Sequence, residues 1–255
     1  MARFQVGVQI RPQHTSMAEL REAWRSADAM GVDSIWTWDH FFPLYGDAEG
    51  GHFEGWTTLA TMAADTRLAK VGLLVTGNSY RNPELLADMA RTVDHVSGGR
   101  AYLGIGAGWF ERDYDEYDYE FGTAGSRLRA LESSLVRIRA RLEQLNPAPV
   151  GRLPILIGGG GEKVTLRLVA RFADAWNGFG PPATYAHKNR VLDQHCAEVG
   201  RDPSEIERTV LIDSSELGSI DDYLEAGATH LILGVGAEGG VFELADIQRL
   251  VDLRR

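Results

Sequence analysis

Four consecutive glycines, Gly158, Gly159, Gly160 and Gly161, follow the apolar run Pro154 to Ile157 and precede a helical period starting at Glu162. Backbone N–H groups bared at the positive end of a helix form a ready anion site. A simple turn needs one or two glycines, and every ordered glycine costs conformational entropy. The run therefore reads as a phosphate site, with Lys163 as an added charge. It is no Walker motif, because no Gly-Lys-Ser/Thr follows at the required spacing.

A second constellation is Trp38-Asp39-His40-Phe41-Phe42-Pro43. A carboxylate beside an imidazole, set among aromatics, can move protons. The same pair also fits a helix cap and a satisfied buried histidine. A third is Thr76-Gly77-Asn78-Ser79. Gly77 permits close backbone approach to a ligand, and Asn78 and Ser79 can bond a planar heterocycle. A fourth is Gly104-Ile105-Gly106-Ala107-Gly108-Trp109, a weak signal that a tight strand exit also explains. Trp38 and Trp109 could wall a flat ligand. His52 and Glu54 could line a substrate mouth. The acid- and tyrosine-rich stretch Asp113 to Glu120 reads as a solvated loop beside the site, with supply of a proton donor as the alternative. The remaining histidines show no metal-ligand spacing, so no metal site is expected.

These residues need elements to place them. Short β-branched runs alternate with stretches of helical period. Strands are predicted over 4–10, 34–38, 70–75, 101–105, 154–157, 174–177, 208–212 and 229–233. Helices are predicted over 17–30, 56–66, 83–96, 127–145, 162–172, 184–199, 219–225 and 242–253. Eight strands, each followed by a helix, imply a parallel α/β sheet, and units of this length close into a (β/α)₈ TIM barrel rather than a doubly wound open sheet. Every constellation above then falls just after a strand, at the barrel's C-terminal mouth, where such barrels carry their active sites.

The chain of 255 residues suits one such barrel as a single domain, 1–255. A net charge of −10, with no basic run, argues against nucleic-acid binding or anchoring on an anionic membrane. One cysteine, Cys196, allows no internal disulfide and suits a reducing, cytoplasmic location. No signal peptide is expected at the N-terminus, and no apolar stretch approaches the roughly 20 residues of a membrane span.

In order and spacing, these segments resemble the luciferase-like monooxygenase superfamily, and most closely its branch that uses the deazaflavin coenzyme F420. The matching residues are Ile35 to Pro43, Gly72 to Pro83, Val93 to Arg100, Leu103 to Trp109, Pro154 to Gly161 and Ala173 to Asn177. The resemblance implies a luciferase-like barrel that binds the cofactor ring at its mouth. It implies that Asp39 and His40 lie near the ring. It implies a non-prolyl cis peptide at Leu74-Val75 behind the ring, with Thr76 and Asn78 beside it. It implies that Gly106, Ala107 and Gly108 pass alongside, and that Gly158 to Gly161 hold the phosphate. Relatives usually carry a longer insertion before the fifth strand, often a lid; here a shortened one, Asn146 to Leu153, suggests a more open pocket.

The implied reaction is hydride transfer between reduced deazaflavin C5 and a small organic substrate bearing an activated C=C, a C=O or an alcohol. His40 is the first proton carrier to consider, with Asp39 or Glu111 next. Arg81, Arg127 and Lys163 are candidates to meet the cofactor's anionic polyglutamyl tail. FMN in a two-component monooxygenase is the alternative cofactor reading, and a non-catalytic barrel holding a phosphorylated ligand is the alternative of another class. A homodimer is expected, with the helix from Pro83 and the loop near Phe41 as contributors.

Overall fold

A computed structural model describes residues 3–254. Its parallel strands run in chain order. They are β1 (Gln5–Ile10), β2 (Ser34–Thr37), β3 (Lys70–Leu73), β4 (Thr76–Gly77), β5 (Leu103–Gly106), β6 (Ile155–Gly158), β7 (Ala175–Gly178), β8 (Glu207–Ile212) and β9 (His230–Val235). The predicted third strand is split into β3 and β4 by the pair Leu74-Val75, whose peptide bond is cis, as the resemblance implied. Counting β3 and β4 as one interrupted strand gives eight. The ladder runs β3-β2-β1-β9-β8-β7-β6-β5-β4, and a single bridge, Val71 to Ala101, closes the ring. The expected (β/α)₈ barrel is the fold.

The helices pack outside the barrel in the predicted order. In α1 (Met17–Met30), Ser16 caps the first turn by accepting from the Glu19 amide, and Gly31 ends the helix at φ 81°. Leu20, Ala23, Trp24 and Ala27 recur at helical spacing and are buried. α2 (Gly55–Asp65) and α3 (Pro83–Ser97) start at Glu54 and Asn82, whose side chains accept from two amides each. α5 (Ala124–Leu142) starts three residues earlier than expected, because Thr123 and Ser126 form a reciprocal capping box. α6 (Thr165–Phe172) starts three residues later, since residues 162–164 form a turn. α7 (Pro182–Glu198) and α8 (Ile220–Glu225) follow β7 and β8.

Two elements were not foreseen. Residues 111–116 form a short helix, α4 (Glu111–Glu116), where a solvated loop was expected. Residues 237–242 form a hairpin, β10 (Ala237–Glu238) with β11 (Val241–Phe242), turning on Gly239 and Gly240 at positive φ. The last helix, α9 (Ala245–Leu253), therefore starts after Phe242.

The short link between α5 and β6 enters β6 at its N-terminal end, on the barrel face opposite the mouth. There the Asp94 carboxylate accepts from the amides of Val150 (2.7 Å) and Gly151 (2.8 Å). This link thus lies on the face away from the cleft, so its length does not by itself set how open the cleft is. No helix among the described residues is long and apolar enough to cross a membrane.

Candidate active site at the barrel mouth

The C-terminal strand ends enclose a cleft of about 540 Å³, large enough for a cofactor ring plus a small molecule. Its floor is the Leu74-Val75 bulge, fixed from below where Gln9 Nε2 donates to the Leu74 carbonyl at 2.8 Å. Gly106 and Gly158 flank Val75. A Cβ built on Gly106 would come within 2.8 Å of Val75 Cγ2, and one on Gly158 within 3.0 Å of Val75 Cγ1. Both positions need glycine so that two neighbouring strands can close on this bulge. Gly108 has a different reason: its φ is 82°, and a Cβ there would strike the Tyr114 hydroxyl.

His40 and Asp39 leave β2 side by side and do different things. His40 is buried among aromatic edges, with ring centroids of Trp38, Trp109 and Phe110 5.6–6.1 Å away. Its Nδ1 lies 2.6 Å from Oδ2 of Asp113 on α4. The buried Asp113 carboxylate also accepts from the Phe41 amide (3.0 Å) and the Tyr80 hydroxyl (2.8 Å). A carboxylate can only accept, so His40 Nδ1 is the donor and its Nε2 is left for another partner. Among the described residues Nε2 has no hydrogen bond, and His40 lines the cleft. Burial, together with the same carboxylate, pushes the Tyr80 phenol far above its usual range, so Tyr80 acts as a fixed donor.

Asp39, which also borders the cleft, is committed to an ion pair. Arg81 donates Nη1 to its Oδ2 (2.6 Å) and Nη2 to its Oδ1 (3.0 Å), and the Thr76 hydroxyl donates to Oδ2. Arg81 Nη2 also reaches Glu54 Oε1 at 2.7 Å. Burial pushes the Asp39 carboxyl upward, and Arg81 and Thr76 oppose that push. For Glu54 burial likewise works upward, but the Thr57 and Trp56 amides and Arg81 outweigh it and hold the group below its ordinary value. The cluster joins β2, β4 and α2 into one rigid corner. Arg81 is thereby spent and is not free for an anionic tail. Arg127 is spent as well: it lies over the Phe121 ring (3.9 Å) and donates to the carbonyls of Gly108 and Phe121.

The other predicted residues divide clearly. Leu74, Val75, Thr76, Gly106, Ala107, Gly108, Gly158 and Gly159 line the cleft. Asn78 is buried in a 3₁₀ turn and does not line it. Gly160 and Gly161 continue the loop beyond the lining residues, and Lys163 is exposed outside it. Glu111 is exposed at the start of α4, whose helical period turns Asp113 inward instead. Sequence reading took Asp113 for a solvated acid; the helical spacing of Phe110, Asp113 and Tyr114 was the available signal. It also passed over Thr165, buried on α6 at the edge of the cleft, and Lys188 on α7. Lys188 Cε lies 3.8 Å from a Cβ built on Gly160, and its Nζ pairs with Glu162 at 2.5 Å. The cation beside the glycine run is thus Lys188 rather than Lys163. Phe41 stacks on Tyr117 (4.3 Å) and packs at a tilt against Tyr80 (4.8 Å), so much of this aromatic loop is packed within the chain.

Known proteins share this architecture. An F420-dependent secondary alcohol dehydrogenase, solved with an F420-acetone adduct, superposes with a TM-score of 0.85 at 17% identity, over 99% of this chain and 98% of its own. The coenzyme F420-dependent tetrahydromethanopterin reductase of Methanopyrus kandleri superposes with a TM-score of 0.77 at 15% identity, over 99% and 98%. In sequence, a phthiodiolone/phenolphthiodiolone dimycocerosates ketoreductase of Mycobacterium sp. (strain JLS) is 30% identical over 95% of this chain and 74% of its own length. The 4-hydroxyprotoasukamycin monooxygenase of Streptomyces nodosus subsp. asukaensis is 26% identical over 78% and 60%. The sequence pattern of the luciferase-like monooxygenases matches residues 1–215. This chain belongs to the luciferase-like monooxygenase family.

Proposed function

We propose that this chain, acting as one barrel domain, is an oxidoreductase that moves a hydride between a deazaflavin of the coenzyme F420 type and a small organic substrate bearing an activated C=C, a C=O or an alcohol. The observation that carries this reading is the pairing of a ring-sized cleft over the Leu74-Val75 bulge with a histidine whose Nδ1 is held by a buried carboxylate, which leaves its Nε2 open. The residues present fit the cofactor. Gly106 and Gly158 leave a flat wall on either side of Val75. Gly159 to Gly161 keep bare backbone beside Lys188 and the Thr165 hydroxyl, the donor set an anionic phosphate needs. Lys163, exposed and without an ion pair among the described residues, and Lys188, whose partner Glu162 would have to give way, stand in place of Arg81 and Arg127 as the cations near an acidic tail.

When bound, the deazaflavin supplies two electrons as hydride and does little with oxygen. The protein's share is to hold ring and substrate together, exclude water and handle the proton. His40 Nε2 gives that proton to the substrate oxygen in reduction and takes it back in oxidation. Asp113 keeps the imidazole in the tautomer and orientation that this needs. The ketoreductase relative and the F420-dependent neighbours support this reading; the monooxygenase relative and a Baeyer-Villiger monooxygenase neighbour solved with FMN support an FMN-dependent monooxygenase as the second reading.

Titrating the purified protein with deazaflavin and with FMN, followed by fluorescence, tests both. Saturable binding of deazaflavin, with weak or no binding of FMN, is expected. The reverse selects the monooxygenase reading, and binding of neither overturns both.

A further inference from the structure

We infer that Arg11 is a recognition site for a carboxylate on the substrate, at the edge of the cleft across the barrel from the glycine run. Arg11 follows β1, and β6, which carries the glycine run, stands four strands away in either direction round the barrel. Among the described residues that line the cleft, Arg11 is the only lysine or arginine. Its guanidinium lies 5.1 Å from the centroid of the Tyr45 ring, and its Nη2 donates to Asp213 Oδ1 at 2.8 Å. Its Nε is buried with no hydrogen-bond partner. A buried donor left without a partner is destabilising.

Two further features mark the position as built to keep this side chain in place. A Cβ on Gly234, near the end of β9, would come within 2.8 Å of Arg11 Nη2. The chain thus leaves side-chain space empty where the guanidinium lies. The partner Asp213 is 63% exposed, whereas the Arg11 side chain is 21% exposed. A solvated carboxylate makes a weak, exchangeable pair, so the ion pair orients Arg11 without saturating it. Tyr45 lies beside it, and Trp109 and Phe179, which follow the strands on either side of β6, border the cleft farther round; all three are more than half exposed. They offer apolar faces to the body of a ligand whose carboxylate meets Arg11.

The substrate class is then an organic carbonyl or alcohol compound with an apolar body and a carboxylate. That assignment of class rests on the hydride-transfer reading; the anion site itself does not. The test uses benzoate and its neutral counterpart benzamide as probes, with binding followed by ligand-detected NMR on the protein with and without added deazaflavin. Wild type is expected to bind benzoate about 10- to 100-fold more tightly than benzamide, the range a charge-assisted hydrogen bond supplies. Arg11→Gln is expected to erase that preference while leaving deazaflavin affinity and the circular dichroism spectrum unchanged. Asp213→Asn, which removes the competing carboxylate, is expected to strengthen benzoate binding, and it keeps the test open should Arg11→Gln fold poorly. Absence of benzoate binding, equal binding of the two probes, or a preference intact in Arg11→Gln overturns the inference. So does an equal loss of deazaflavin binding in Arg11→Gln, which would make Arg11 a cofactor residue. A benzoate preference in a protein that binds no deazaflavin sinks the hydride-transfer reading and leaves the anion site standing.

Discussion

His40 Nδ1 and Asp113 Oδ2 lie 2.6 Å apart although 73 residues separate them in the chain. One residue ends a barrel strand and the other turns inward from a short helix. Their hydrogen bond leaves a single imidazole nitrogen, Nε2, facing the cleft. Replacing His40 with Gln is expected to lower turnover by about 100- to 10,000-fold, the usual worth of a placed acid or base. Deazaflavin affinity, measured by fluorescence titration, should hardly move. Equal losses in both would argue against proton transfer.

Asp113→Asn tests the positioning role. An amide can still accept at one atom, so the fold should survive, but the fixed Nδ1 donor is no longer enforced. We expect kcat to fall while KM stays within a few-fold, and Asp113→Glu, which keeps a carboxylate acceptor, to recover part of the lost turnover. Equal losses in kcat and in deazaflavin affinity, or no recovery in Asp113→Glu, would reduce Asp113 to scaffolding for Phe41 and Tyr80.

The Asp39–Arg81–Glu54 corner predicts a stability effect. Arg81→Met leaves the buried Asp39 carboxylate without its cation, and breaking such a pair from one side costs about 3–5 kcal/mol. Urea denaturation should show this as a lower midpoint with an unchanged slope. A loss below about 1 kcal/mol, the value of an exposed pair, would mean that Asp39 is not charged in the folded protein.

The glycines of the cleft should separate into two kinds. Gly106→Ala must displace Val75, since the new Cβ falls 2.8 Å from its Cγ2. It should weaken both folding and ring binding. Gly160→Ala meets only Lys188 Cε, at 3.8 Å, an ordinary contact. It should fold with a near-normal thermal midpoint yet bind deazaflavin more weakly, because the added methyl intrudes on the anion. Unchanged affinity in Gly160→Ala would place the phosphate elsewhere.

His52 should leave a mark on stability below neutral pH. Trp38 Nε1 donates to its Nε2 at 2.8 Å, and burial, seconded by the charge of His40, lowers it from 6.5 to about 4. As pH falls, the unfolded chain takes up this proton before the folded one does. The contribution is whole above about 6.5, declines as pH drops, and levels off near 4. His52→Gln keeps an acceptor for Trp38 and should flatten the stability profile across that window in pH-dependent thermal melts. A decline as steep as that of wild type would assign it to another group.

The sequence alone determined the barrel, because hydrophobic period and turn chemistry are local: α1 begins and ends on Ser16 and Gly31, as its capping residues dictate. It also pointed to the glycine run and to His40, since both follow strands and strand ends face the mouth. What only the tertiary structure decided is which polar groups are left free. Asp39 and Arg81 looked available in sequence, yet they neutralise one another across 42 positions. Glu111 and Asp113 are two residues apart, and the helix turn exposes one and buries the other. Lys163 neighbours the glycine run in sequence, whereas Lys188 neighbours it in space. A side chain's charge is written in the chain, but its burial and its partner come from distant strands, and those set what chemistry it can do.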